Sequence, residues 1–188
     1  NVSNNDHINS ALHACFTDPA LAKSIIRYVL KQTSFDGMIP DSNKGYGYIS
    51  SDQYNHNLAQ LDVLNVLAEY LARTEDYEFL DEWLTIYPME RGEVQSVKAI
   101  IESYFIYLQD KSDVSTSMMT MQAVILPKLL EQLVKSGKVS AELIDEFRKY
   151  TDKAVEKAEE ALKVKKDNTY SDDEIDLFLP DKLRRNNP

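Results

Sequence analysis

Residues 33–57 read TSFDGMIPDSNKGYGYISSDQYNHN, and this stretch decides how the rest of the chain is read. It holds three of the chain's five glycines, Gly37, Gly45 and Gly47, together with Pro40. Glycine opens backbone conformations closed to other residues and proline donates no N–H, so the stretch predicts a loop. Loops of this length inside a domain are uncommon and are usually functional or disordered. Phe35, Met38, Ile39, Tyr46, Tyr48, Ile49 and Tyr54 make it too apolar and aromatic for a solvated linker. The spacing of aromatics and short polar groups predicts a folded loop around a concavity, the alternative being a loop that only packs on its neighbours.

Helical patterns lie on both sides. Upstream, Ile8, Leu12, Cys15 and Phe16 recur at helical spacing. Thr17 or Asp18 then offers a cap, Pro19 occupies a first helical position, and Leu21, Ile25, Tyr28 and Val29 form a stripe widened by Ile26 and Leu30. Downstream, a helix is predicted from Asn55 to Arg73, with Leu58, Leu61, Leu64, Val66 and Leu67 on a broad apolar face. A further helix capped by Asp76 is expected through Phe79, Leu80, Trp83 and Leu84, ending before Pro88. Another runs from Val94 through Val97, Ile101, Tyr104 and Leu108, after a turn at Arg91–Gly92. Met118–Val134 is helical with Pro127 inside it, which must kink or split the helix. Gly137 reads as a C-terminal cap and Ser140 as the start of a long helix to about Lys166.

No stretch alternates cleanly enough for a strand over more than four residues, so the fold class is all-α, built of antiparallel helical hairpins. Residues 1–166 form the expected helical domain, and residues 167–188 a weakly ordered tail except around Ile175–Leu179.

Composition narrows the function. Hydrophobic residues make up 43 % and charged residues 28 %, an ordinary globular mixture, and the formal net charge of −10 opposes nucleic-acid binding. Apolar runs are too short to span a membrane, and no secretory pattern opens the chain, which begins at Asn1 rather than Met; a cytoplasmic location is expected. Cys15 stands alone and reads as a small buried hydrophobe. No Cys/His cluster has zinc spacing, His7 and His13 fall on different helical faces, and nothing calls for a cofactor or metal.

The segment Thr17–Pro88 contains DPALAKSIIRYVLKQ, FDGMIPD, GYGYISSDQYNHN and LNVLAEYLARTEDYEFLDEWLTIYP. In that order it resembles the six-hairpin superfamily of glycoside hydrolases and sugar phosphorylases, whose fold is an (α/α)6 toroid. The resemblance rests on the Asp36–Pro40 turn, the aromatic loop Tyr46–His56, and the helix pair from Ala68-Glu69-Tyr70 to Phe79-Leu80-Asp81-Glu82. It implies a partial toroid-like arrangement, about half of a full ring, completed by the remainder of a larger chain or by an oligomer. It also implies a carbohydrate ligand held by Tyr46, Tyr48 and Tyr54 through ring stacking, with Asp36, His56 and Arg91 on hydroxyls.

Glycoside cleavage needs a carboxylic acid at the leaving oxygen and a carboxylate about 5 to 9.5 Å away. Asp113 lies where the resemblance places the family's general acid, although the tryptophan of that motif is absent from Gln109–Ser115, and Asp52 is the second carboxylate chosen. Helix-capping or turn roles remain open for both. The expectation is therefore glycoside hydrolysis or phosphorolysis, against a non-catalytic helical module that binds sugar or another protein.

Overall fold

Asp18 closes one helix and opens the next. Its backbone N–H donates to Ala14 O at the end of α1 (Asn4–Thr17), while its carboxylate accepts from the Leu21 N–H in the first turn of α2 (Pro19–Leu30). With one residue between them the two helices fold back on each other. Asn4 meets Gln32, and the His7 ring meets Tyr28 edge-on, so residues far from the turn on one side face residues equally far on the other. This is an antiparallel hairpin, as the cap and proline predict.

The structure, a computed structural model, describes residues 2–40, 42–44, 59–87, 91–109 and 115–168. Four more helices follow: α3 (Ala59–Thr74), α4 (Val97–Gln109), α5 (Thr116–Ser136) and α6 (Ala141–Asn168). The architecture is all-α. Helix α3 is its axis, with Leu61, Leu64, Leu67, Ala68 and Leu71 fully buried and α1, α2 and α5 packed around it. Helix α5 runs uninterrupted through Pro127 and ends at Gly137, whose left-handed φ of 62° makes it the cap expected. The split that Pro127 threatened does not occur. Ser140 then receives the Leu143 N–H and starts α6, which returns along α5 so that Gln122 lies beside Tyr150. Phe105 of α4 stacks on Phe147 of α6 at 3.9 Å between ring centroids and meets Tyr150 edge-on, tying α6 to the core.

Three expectations need correction. The helix expected over Asp76–Leu84 is a short 3-10 turn (Tyr77–Asp81) followed by strand β3 (Trp83–Thr85). Its capping residue is otherwise engaged: Asp76 accepts from Lys23 Nζ and from the Tyr70 hydroxyl, both at 2.6 Å, and Glu75 before it has φ 52°. Strand β4 (Val94–Ser96) pairs antiparallel with β3, Trp83 opposite Ser96, so tertiary pairing overrides the local helical pattern. A second ribbon joins Val2–Ser3 to Ser42–Asn43. Each of these strands is two or three residues long, too short for alternation to show in the sequence, and the all-α class holds. Finally, the buried face of α2 is Ala22, Ile26, Val29 and Leu30; Leu21, placed on the stripe, is 50 % exposed. Phe16 likewise leaves the core and lies under the Arg73 guanidinium, 3.7 Å from its ring centroid.

Candidate functional site

The start of the glycine- and aromatic-rich loop is built into one end of the helical core. At Gly37 the chain turns with φ 80°, and the turn is tied by Gly37 N–H to Ser34 O (3.0 Å) and Ser34 N–H to Met38 O (2.9 Å). Gln60 in the first turn of α3 donates to Gly37 O at 3.0 Å. The Thr33 hydroxyl pairs with the buried Tyr104 hydroxyl of α4, and the Tyr87 N–H donates to Thr33 O at 3.1 Å. The turn thus joins α2, α3, α4 and the outer end of the β3–β4 ribbon.

Behind it lies a cluster of three buried amides. Asn4 Nδ2 donates to Gln32 Oε1 (3.0 Å) and to Pro40 O (2.7 Å). Asn43 Nδ2 donates to Gln32 Oε1 (3.0 Å) and Asn4 Oδ1 (3.2 Å), and the Tyr28 hydroxyl donates to Asn43 Oδ1 (3.3 Å). Buried amides left unpaired are costly, so a closed network of this kind holds Pro40 and Asn43 against the hairpin. On the outer side His7, Ser24, Ile25 and Tyr28 line an open groove of about 360 Å³. Its lining is one imidazole, one phenol, one hydroxyl and an aliphatic wall.

Of the residues singled out from sequence, Asp36 and Arg91 are described. Asp36 is exposed, and its carboxylate accepts from the Ser34 hydroxyl within the turn. Arg91 is exposed in the turn of the β3–β4 ribbon, without an ion pair among the described residues. The Tyr87–Thr33 bond brings the chain segments of Asp36 and Arg91 to the same end, but no hydrogen bond joins the two side chains. Tyr46, Tyr48, Asp52, Tyr54, His56 and Asp113 lie outside the described residues. Among the described residues no group of three or more His, Cys, Asp or Glu is placed to hold a metal ion, and no helix is long and apolar enough to cross a membrane.

The carboxylates sort by environment. Glu82 is held below its ordinary range by the bidentate Arg27 guanidinium (2.5 and 2.8 Å), and Glu69 by Lys128 and Arg73. Burial would raise Asp76, yet its bonds from Lys23 and Tyr70 bring it down. Asp62, in the first turn of α3 just after the loop, is the exception: burial pushes it up. From sequence it falls inside the helix expected from Asn55, where a single acidic residue carries no signal of its own.

Sequence reading also missed a larger cleft. It measures about 640 Å³ and lies between the C-terminal end of α4, the N-terminal half of α5 and the middle of α6, with Leu108, Met119, Gln122 and Tyr150 among its walls. Its residues are spread over three helices, and no local pattern joins them. The chain matches no known family model and no curated protein sequence.

Proposed function

We propose that this is a carbohydrate-binding helical-hairpin domain of the glycoside hydrolase or sugar phosphorylase kind, with its ligand at the end where the aromatic loop begins. The observation that carries the reading is the anchored chain at residues 33–40 and 42–43. It is fixed by the buried amide cluster and by Gln60, and it holds the base of the loop beside the His7–Tyr28 groove. Sugars present apolar ring faces and many hydroxyls, and a site of aromatic rings, amides and carboxylates on a rigid base suits both. Phe35, 68 % exposed in the turn, adds an open aromatic face. The all-α hairpins agree with the resemblance drawn from the sequence; the toroid itself belongs to the proposal.

The test is calorimetric titration of the chain with gluco-, galacto- and manno-configured oligosaccharides, beside assays on aryl glycosides and on disaccharides with phosphate. Binding weakened by Tyr28→Ala supports the site. Turnover that falls about 10²–10⁴-fold in Asp113→Asn supports that residue as general acid. No binding and no turnover across the panel refutes the reading.

A second reading, a sugar-binding module without catalysis, draws on the ion pairs. Glu69, Asp76, Asp81 and Glu82 are all held ionised by basic partners, which suits architecture rather than proton donation. Binding with no turnover of any substrate favours this one.

A further inference from the structure

The cleft of about 640 Å³ between α4, α5 and α6 has an unusual chemistry for a chain of net charge −10. Lys149, Lys153 and Lys157 line it from α6, and none has an ion-pair partner among the described residues. Residues four apart repeat every ~6.0 Å along a helix axis and share one face, so the three ammonium groups make a single basic rim. Glu146, three residues before Lys149, is the opposing carboxylate. The helix ends do not decide the sign: α5 begins near Met119 and α4 ends at Leu108–Gln109, a positive end beside a negative one. On the α5 wall Gln122 is only 4 % exposed, and its Nε2 has no acceptor among the described residues. A buried donor left unpaired is costly, and an occupant that offers an oxygen lone pair removes that cost. The Tyr150 hydroxyl lies beside it, and burial raises its pKa to about 12, so it keeps its proton at neutral pH. Leu108, Met119 and Ala154 supply an apolar wall.

We infer that this cleft binds a small soluble phosphomonoester with an apolar or aromatic body. Its volume falls within the range of about 300–1,000 Å³ usual for small-molecule sites. A phosphomonoester carries about −1.5 to −2 charges at pH 7 and three strong acceptor oxygens on one compact group. Lysine suits it as a point charge, and a carboxylate would bring less charge to the same rim. A long polyanion is disfavoured, because most of its length would face a chain of net charge −10. Placed over Lys153, the phosphate has Lys149 and Lys157 ~6.0 Å away along the axis on either side. That is within the screening length of ~8 Å at about 0.15 M salt, so all three lysines act on one group and none needs an anion of its own. Glu146 weakens the field at the Lys149 end. The Gln122 amide and the Tyr150 hydroxyl donate to the oxygens, and the apolar body covers Leu108, Met119 and Ala154. The site shares no residue with the His7–Tyr28 groove, so it goes beyond the carbohydrate reading.

Calorimetric titration of the full chain with naphthyl phosphate tests this, with naphthol and inorganic phosphate as the two half-ligands. The ester binds at one site, and each half-ligand binds at least about tenfold more weakly because it lacks half of the contacts. Lys153→Gln weakens the ester about two- to fivefold, more than Lys149→Gln or Lys157→Gln does, and the triple variant weakens it at least about tenfold. Glu146→Gln has the opposite sign and tightens the ester. These four side chains are exposed, and an unchanged helical circular dichroism spectrum checks that each variant is folded. Gln122→Leu keeps the volume, removes the amide donor and weakens the ester without weakening naphthol. No saturable binding of the ester overturns the inference, as does ester affinity unchanged in the triple lysine variant. Inorganic phosphate or naphthol binding as tightly as the ester also overturns it. Sedimentation of the chain with phosphatidic-acid vesicles, without binding of the soluble ester, overturns it in favour of a lipid headgroup.

Discussion

Gly37→Ala is the sharpest test of how the loop is seated. Gly37 has φ 80°, and a Cβ there would stand 2.6 Å from Ser103 O and 2.9 Å from Ser103 C, both backbone atoms of α4. An L-residue in the left-handed region costs about 1–2 kcal/mol. Pushing the turn away from an immovable helix backbone adds an overpacking cost of about 1–3 kcal/mol. The shift also stretches the Gln60 bond to Gly37 O, and a bond of this kind contributes about 0.5–1.5 kcal/mol. The sum is about 2.5–6.5 kcal/mol. Gly92→Ala is the control: φ is 66°, but nothing lies within 4 Å of its Cβ position, so only the conformational cost of about 1–2 kcal/mol applies. Any gain from restricting the unfolded chain is common to both and cancels in the difference. Urea unfolding followed by far-ultraviolet circular dichroism, with unchanged m-values, gives the comparison. In a chain of this size each kcal/mol moves Tm by about 2–4 °C. If Gly37→Ala is no worse than Gly92→Ala, the close approach to Ser103 is not what holds the turn.

Tyr104→Phe strands the buried Thr33 hydroxyl and should cost about 1–3 kcal/mol; adding Thr33→Val should restore part of that, and simple additivity in urea unfolding would count against the pairing. Asp62→Asn should raise Tm at pH 7. Burial raises the folded-state pKa of Asp62 above the unfolded value of about 3.9, so the wild type loses stability as pH rises through that window, and the advantage of Asn should vanish below about pH 4. Glu82→Gln has the opposite sign. The Arg27 bonds depress the folded-state pKa, so the pair stabilises above the unfolded value of about 4.3 and is lost as pH falls through the folded value. At pH 7 the loss is about 1 kcal/mol because the pair is partly solvated, and a cost that persists unchanged at pH 2 would contradict the assignment.

The parts of the fold legible in the sequence are those written in neighbouring residues. Asp18 before Pro19, Gly137 after a helical run and Ser140 before Glu142 each specify a helix end within one turn, and each is found at that end. What failed was decided by partners far along the chain. Leu21 belongs to a plausible stripe on α2, but α1 and α3 cover the Ile26–Leu30 face instead, and only the packed structure picks between two adjacent faces. The segment from Asp76 to Leu84 has helical spacing, yet Lys23, Arg27 and Tyr70 claim its carboxylates and Val94–Ser96 claims its backbone. The amide cluster has the same character. Asn4, Gln32 and Asn43 are 28 and 11 residues apart, and as isolated letters they read as surface polar residues.

The electrostatics narrow where a proton donor for sugar chemistry would lie. A general acid must stay protonated near neutral pH, which calls for a carboxyl raised by burial or by a like charge. Four carboxylates with basic partners, Glu69, Asp76, Asp81 and Glu82, are pushed the other way, and each ties one helix or turn to another. Asp62, by contrast, is raised by burial, and it stands in the first turn of α3, two residues beyond the Gln60 that anchors the loop. That gives two candidates with different signatures. If Asp113 is the acid, Asp113→Asn lowers turnover about 10²–10⁴-fold and removes the alkaline limb of the pH profile, while Asp62→Asn leaves that limb in place. If Asp62 is the acid, Asp62→Asn removes the alkaline limb of the profile and Asp113→Asn does not. The carboxyl whose removal erases that limb, rather than merely lowering the rate at every pH, is the one that gives up the proton.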